Sequence, residues 1–324
     1  MNKKIIQYNI KDSVVLITGG AGFLGCNLIH RLLDLGCKKI YVIDNLSSGN
    51  KQFLPIDQRV IYKYCDISNF EKCNSVVEND IDYVFHLAAH FANQNSVDFP
   101  ISDIYTNIIG TTNILKICQS RNIKKLIYTS SSCVYGNQEI MDEQANVYPT
   151  ETPYAINKLC SEMYVKYFAE IYNVPTLSVR IFNTFGPYEL PGPYRNVIPN
   201  FISKALLGED ITITGTGNEI RDFTYVNNTL DLMIKMCESD IIDGSVYNAG
   251  TGRDISINYL TKKIIEFTDS KSKIKYIDRR NWDTVTNRVS DITLSKAVFG
   301  YEPTYKFEEG LLETINWIKH VRNL

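Results

Sequence analysis

Nowhere in the 324-residue sequence does an apolar run approach the ~20 residues that a membrane-crossing helix requires. Charge of one sign is missing as well. With 34 Lys and Arg against 36 Asp and Glu, the formal net charge is −2, and no broad field points to nucleic acid or an anionic membrane surface. Histidine is scarce: His30, His86, His90 and His320 are the only four, and none stands at zinc-ligand spacing from a cysteine. The eight cysteines form no Cys-x-x-Cys pair, and most fall in apolar stretches where a reduced thiol packs as a small hydrophobe. These absences argue against a bound metal and a disulfide framework, so a reducing, cytoplasmic setting is expected. After Lys3 and Lys4, Gln7 and Asn9 interrupt the apolar run at once, so no signal peptide is expected. Internal repeats, low-complexity tracts and long linkers are also lacking.

What is present is an ordinary globular composition, 44% hydrophobic and 22% charged, in a chain long enough for two domains or one large domain with an appendage. Short apolar, β-rich runs occur at Val14–Thr18, Ile40–Ile43, Val60–Tyr64, Tyr83–Leu87, Leu126–Ser130 and Thr176–Phe182. Helical spacing separates most of them, over Phe23–Gly36, around Asn69–Asn79, and over Ser102–Arg121 and Tyr154–Tyr172. Strands alternating with helices predict βαβ units and a doubly wound parallel α/β sheet. Past Phe185 the texture changes: Pro, Gly and Tyr cluster in Gly186–Pro199, and shorter mixed elements follow. We therefore expect a dinucleotide-binding domain over 1–185 and a smaller mixed α/β substrate-binding region over 186–324, part of which can return to the main sheet.

The first strand runs into Gly19-Gly20-Ala21-Gly22-Phe23-Leu24-Gly25, which opens the first helix. In that setting Gly19 permits the tight turn, Gly22 lets backbone approach a pyrophosphate, and Gly25 lets helix pack on strand. Free amides at the helix start then face the phosphates. Asp44 ends the second strand, where a carboxylate accepts hydrogen bonds from the adenosine ribose and repels a 2′-phosphate, so NAD is expected over NADP. Asp66, followed by Ile67 after the third strand, is a candidate for the adenine edge, or simply a loop cap.

Tyr154 and Lys158 stand at i and i+4 on one helical face. A free phenol titrates at about 10, too high for a base at neutral pH. A neighbouring ammonium is expected to lower it, making the pair competent to take a proton from an alcohol while hydride leaves to a nicotinamide. Alone, Tyr-x-x-x-Lys means little. Here it follows the glycine turn and the Ser130-Ser131-Ser132 cluster at the end of a strand, where ligands of such sheets bind.

Together these pieces resemble the extended short-chain dehydrogenase/reductase family, in its NAD-dependent nucleotide-sugar epimerase/dehydratase branch (UDP-glucose 4-epimerase-like). The resemblance spans nearly the whole chain. It is carried by Gly19–Gly25, Asp44-Asn45, His86-Leu87-Ala88-Ala89, Asn107, Ser130–Ser132, Val134-Tyr135-Gly136, Tyr154 with Lys158, Arg180–Pro187, Arg221-Asp222-Phe223 and Arg288. It implies a Rossmann domain with tightly bound NAD. Phe23, Leu24, Asn45, Leu87, Ala88, Ala89 and Thr129 would line the cofactor, and Asn107 would brace the site. Ser131 would bond the reacting sugar hydroxyl, and Asn183, Arg221 and Arg288 would meet the diphosphate of a UDP- or GDP-linked sugar. Ser132, Asn196 and Val197 would complete the substrate contacts, and a homodimer would form through the Ser102–Arg121 and Tyr154–Tyr172 helices.

Within the family, dehydratases carry Asp-Glu where this chain has Ser132 and Cys133, and decarboxylases usually carry Glu at the Cys133 position, so neither activity is expected. In GDP-fucose synthase and GDP-mannose 3,5-epimerase a cysteine matching Cys133 moves protons at carbon, paired with a His or Lys on a later loop. That loop here offers Arg195 and Asn196, neither a good proton donor. Cys133 is therefore read either as packing or as a proton carrier. His90 is read as a structural or substrate-contact residue, and Tyr188–Tyr194 either as a cover over the ligand or as an ordinary loop. Oxidation at sugar C4 by a 4-epimerase needs only Ser131, Tyr154 and Lys158 and is the leading expectation. The alternatives are a C4 dehydrogenase of a GDP-hexose or GDP-heptose, a 3,5-epimerase/reductase using Cys133, and a non-enzymatic NAD sensor.

Overall fold

A computed structural model describes residues 9–149 and 151–322. The stretch in which no signal peptide is expected lies almost wholly outside them. Among the described residues no helix is long and apolar enough to cross a membrane. In chain order the strands are β1 (Val14–Thr18), β2 (Lys39–Asp44), β3 (Val60–Tyr64), β4 (Tyr83–His86), β5 (Lys125–Ser131), β6 (Thr176–Ile181), β7 (Ile211–Thr214), β8 (Ile220–Arg221), β9 (Asp243–Ala249), β10 (Ile255–Ser256), β11 (Ile274–Ile277) and β12 (Asn287–Arg288). The α-helices are α1 (Phe23–Asp34), α2 (Phe70–Val76), α3 (Asn93–Asp98), α4 (Pro100–Ile104), α5 (Thr111–Arg121), α6 (Pro153–Tyr172), α7 (Val197–Leu206), α8 (Val226–Glu238), α9 (Ile257–Thr268), α10 (Thr293–Phe299) and α11 (Phe307–Arg322).

Seven strands form one parallel sheet in the order β3-β2-β1-β4-β5-β6-β9. Alternating residues feed two faces. Val15, Ile17, Val42, Phe85, Ile127 and Val179 pack toward Leu28, Leu32, Leu230 and Met233. Leu16, Tyr41, Val84, Leu126 and Tyr128 pack toward Ile114, Leu115 and Cys118. Both faces are covered, which is why the strands read as near-continuous apolar runs. Strand order reverses between β1 and β4, and a cleft opens beyond the carboxyl ends of the strands there. The late strand β9 extends the main sheet beside β6. The eight cysteines are free, and all but Cys160 are buried.

Two expected elements differ in detail. The helix expected over Ser102–Arg121 begins at Pro100 and passes through a π-helical segment, Tyr105–Gly110, before α5. In this segment Gly110 packs closely, since a Cβ there would lie 2.5 Å from Ile67 Cδ1, and Asn107 grips the His90 backbone. The helix around Asn69–Asn79 is only Phe70–Val76: the Asn69 side chain caps its start by accepting from the Lys72 amide, and the backbone turns extended at Val77.

A small three-stranded sheet joins β8 antiparallel to β10 and parallel to β12. Its register sets Arg221 directly opposite Arg288.

Candidate active site

The glycine turn is fixed by close approach. Gly19 has φ +69, and a Cβ there would meet Ala88 N at 2.7 Å; one on Gly25 would meet Gly20 Cα at 2.4 Å. No side chain caps α1 at Gly22, so its first turn keeps its amides for a ligand. Asp44 reaches back under the turn, accepting from Ala21 N at 3.0 Å and Leu46 N at 2.7 Å. Burial pushes its carboxyl above the usual range despite those two hydrogen bonds.

These groups border a cleft of about 530 Å³. Of the residues expected from sequence, Gly19, Gly22, Phe23, Leu24, Gly25, Asp44, Asn45, Ile67, Leu87–His90, Thr129, Ser131–Cys133, Tyr154, Lys158, Asn183, Asn196, Val197, Arg221 and Arg288 all line it. Asp66 and Asn107 do not. The Asp66 carboxylate is turned aside, held by Asn45 Nδ2 at 2.8 Å and by the Ser68 amide and hydroxyl at 2.9 and 2.7 Å. Asn107 stands behind the wall. Its Oδ1 accepts from His90 N at 3.0 Å and its Nδ2 donates to His90 O at 3.2 Å. His90 itself meets the buried Asp103 at 3.4 Å, and Asp103 also accepts from Asn157 Nδ2 at 2.6 Å.

Thr152 and Pro153 start α6, so Tyr154 and Lys158 occupy its first two turns on the cleft side. Lys158 Nζ donates to Thr129 O at 2.7 Å and sits over the Tyr128 ring. Burial lowers the ammonium to about 8, with Asp103, Cys133 and Glu162 pulling the other way. The phenol differs from the sequence expectation. Tyr154 is raised above its ordinary value by burial, then by the fields of Cys133 and Asp103, against a hydrogen bond with Ser131. Sequence proximity to a lysine had suggested lowering. In the fold the lysine is bonded elsewhere, and desolvation of the phenol outweighs it.

Ser131 closes β5, and its Oγ accepts from Cys133 N at 3.2 Å. The following turn presents Cys133 to Tyr154, Ala155 and Phe91. Two donors point at its sulfur, Arg288 Nη1 at 3.3 Å and Asn93 Nδ2 at 3.7 Å. Arg288 is buried and its Nε has no partner. The Arg221 fork is spent on backbone carbonyls, Ile220 O at 2.8 Å and Val285 O at 3.0 Å; burial and then Arg288 lower it to about 10. Asn183, at φ +26, carries a buried Nδ2 without a partner. Unpartnered buried donors lining the same cleft as an uncapped helix start suit a ligand rich in phosphate oxygens.

Sequence reasoning passed over Phe91, Asn93, Glu189 and Trp282, which also line the cleft. Trp282 Nε1 donates to Gln94 Oε1 at 2.9 Å, and Tyr194 Oη donates to Asp98 Oδ2 at 3.0 Å. Two late segments are thereby tied to α3 across the cleft.

The NAD dependent epimerase/dehydratase family profile matches residues 15–250. A UDP-N-acetyl-alpha-D-glucosaminuronate decarboxylase of Bacillus cytotoxicus is 33% identical, the alignment covering 95% of this chain and 98% of that one. Among solved structures, the epimerase Mth375 of Methanothermobacter thermautotrophicus superposes with a TM-score of 0.94 at 36% identity, covering 97% of this chain and 94% of that one. The UDP-N-acetylglucosamine 4-epimerase of Methanobrevibacter ruminantium, solved with UDP-N-acetylmuramic acid, superposes with a TM-score of 0.89 at 36% identity, covering 97% and 100%. With its glycine turn, its uncapped helix start and its Tyr-Lys pair in one cleft, the chain belongs to the NAD-dependent epimerase/dehydratase family and is an enzyme of the extended short-chain dehydrogenase/reductase type.

Proposed function

We propose that the enzyme oxidises the C4 hydroxyl of a UDP-linked hexose and returns the hydride to the opposite face, as a nucleotide-sugar 4-epimerase. NAD, when bound, supplies the hydride acceptor and a positive charge on its ring. Gly19, Gly22, Gly25 and Asp44 hold it. Tyr154 takes the hydroxyl proton at its Oη and later gives it back, Ser131 holds the reacting oxygen, and Lys158 keeps a cation on the same wall. Asn183 and Arg288 meet the diphosphate. UDP is preferred to GDP because two of the relatives described above, the Bacillus cytotoxicus decarboxylase and the Methanobrevibacter ruminantium 4-epimerase, are named for UDP-sugars.

The observation that carries the reading is chemical economy. Tyr154, Ser131 and Lys158 converge at one wall of the cleft, and the two positions where dehydratases hold carboxylates are Ser132 and Cys133. A second reading, proton movement at a ring carbon by Cys133, is favoured by the Arg288 contact with its sulfur. One experiment separates them. The NAD-loaded protein is incubated with UDP-glucose, UDP-N-acetylglucosamine and their uronates, enzyme-bound NADH absorbance is followed, and products are identified by NMR. The expected product is the C4 epimer, with Cys133→Ala losing less than about threefold. A loss beyond about 100-fold with exchange of ring-carbon hydrogen sinks the first reading. Accumulating 4-keto product would instead favour net dehydrogenation.

We also propose that a second copy covers the face of α4 to α6. Ile101, Ile104, Tyr105 and Ile109 are exposed there beside Ile156, Met163, Tyr164 and Tyr167. Light scattering should give twice the 37.0 kDa chain mass; a monomer at micromolar concentration would refute it.

A further inference from the structure

The cleft that we read as a nucleotide-sugar site contains a carboxyl group with no ion pair among the described residues. Glu189 is 2% exposed, lines the cleft, and lies in the segment that joins β6 to α7. Its Oε1 accepts from the amide and the side chain of Asn196, at 3.4 and 3.0 Å, where α7 begins. Its Oε2 is buried and has no partner among the described residues.

The surroundings offer little to neutralise a charge. Arg195 pulls the Glu189 carboxyl down against burial, but its own Nη2 is bonded to Ser48 O at 2.6 Å. From α7 come only the Asn196 amide and side chain. The residues just before Glu189 are tied to α1 instead, where Asn27 Nδ2 donates to Pro187 O at 2.9 Å and His30 Nε2 meets the Tyr188 hydroxyl at 3.1 Å. A diphosphate entering this cleft would add two negative charges to the one already there. An unpartnered buried carboxylate escapes that conflict by binding a proton.

We propose that Glu189 is a proton-linked gate on the nucleotide-sugar site: it is a neutral carboxylic acid whenever the cleft holds its anionic ligand, so that ligand binding takes up a proton. This rests on the nucleotide-sugar reading above. Burial pushing the carboxyl up to about 7 agrees with it and places the transition near neutrality. The acid form has the shape and hydrogen-bond pattern of a glutamine, so Glu189→Gln mimics the neutral gate and keeps an acceptor for Asn196.

The test uses NAD-loaded wild-type protein and Glu189→Gln with UDP-glucose, whose diphosphate stays doubly charged across the range. In wild type, Kd should rise about tenfold between pH 6.5 and 8.5, and calorimetry in two buffers of different ionisation enthalpy should show uptake of roughly half a proton or more at pH 7.5. Glu189→Gln should bind with a flat profile and no such uptake. Equal pH dependence in the two proteins overturns the proposal. Thermal melts give a second, ligand-free measure. A carboxyl whose proton is held more tightly in the fold contributes stability at low pH that is lost as pH rises from about 4.5 toward 7. The Tm advantage of Glu189→Gln should therefore widen over that window, and a constant difference would show that Glu189 is not the acid. If UDP-glucose and UDP-N-acetylglucosamine bind at no pH while the melts still report the acid, the nucleotide-sugar reading falls and takes the gate with it.

Discussion

Replacing Tyr154 with phenylalanine should lower kcat for sugar oxidation by about a thousandfold, the scale of a lost general base, while NAD stays bound. The substitution removes one oxygen. Its ring should keep the edge-to-face contact with Phe91, now 6.0 Å between centroids at 84°, and α6 should keep its cap at Thr152. The effect is therefore chemical rather than architectural. The size of the loss follows from where the phenol sits. Tyr154 is 5% exposed, and burial holds its proton more tightly than water would. Such a group is a poor base until positive charge arrives to favour phenolate. Lys158 supplies part of it, and the oxidised nicotinamide ring is the remaining source the family implies. Bound NAD measured in the purified variant, together with single-turnover absorbance of bound NADH, checks both halves. Full oxidation by Tyr154→Phe would move the base elsewhere in the cleft. A variant without NAD would mean that the hydroxyl is a cofactor ligand first.

Why some of this could be read from sequence, and some not, comes down to how local each interaction is. The turn Gly19–Gly25 and the pair Tyr154 and Lys158 are legible because a few consecutive residues set their geometry. Turn conformation needs glycine at particular positions, and i to i+4 spacing holds on any helix. The direction of the Tyr154 shift was misread for the complementary reason. Spacing reports a neighbouring charge but not the water removed from the phenol, and desolvation is the larger effect here. Arg221 and Arg288 stand side by side only because β8 and β12 pair in parallel, which no local pattern announces. Glu189 falls within Tyr188–Tyr194, which sequence reads as a cover or a loop, but nothing local singles out its carboxyl. It lies in an aperiodic Pro-Gly-Tyr stretch, and its burial arises when that stretch folds onto the start of α7. The π segment at Tyr105–Gly110 keeps the apolar spacing of an ordinary helix, so periodicity gives no sign of it.

Replacing Glu162 with alanine should cost about 3–5 kcal/mol of stability, because it strands a buried cation. Arg180 on β6 is 4% exposed and is gripped by both Glu162 oxygens, Nη2 to Oε1 at 2.6 Å and Nε to Oε2 at 3.1 Å. It also lies against the Tyr135 ring at 4.7 Å. Burial alone would push the guanidinium down. The Glu162 contact reverses this and holds it above its ordinary value. Removing the carboxylate leaves that charge with the Tyr135 side chain, the field of Glu143 and an Nη1 that has no partner among the described residues. Function is coupled to this pair because Glu162 lies one turn beyond Lys158 on α6, and Arg180 precedes Asn183 on the strand side. Loosening the joint should shift the base and the diphosphate contact together. Denaturation should show Tm falling by about 5–10 °C. The decisive comparison is the apolar double variant Glu162→Leu with Arg180→Leu, which should lose less than Glu162→Ala alone, since it removes both charges. If the single variant melts with wild type, the pair is a bystander, and the rigidity of the Tyr154 helix comes from its apolar face alone.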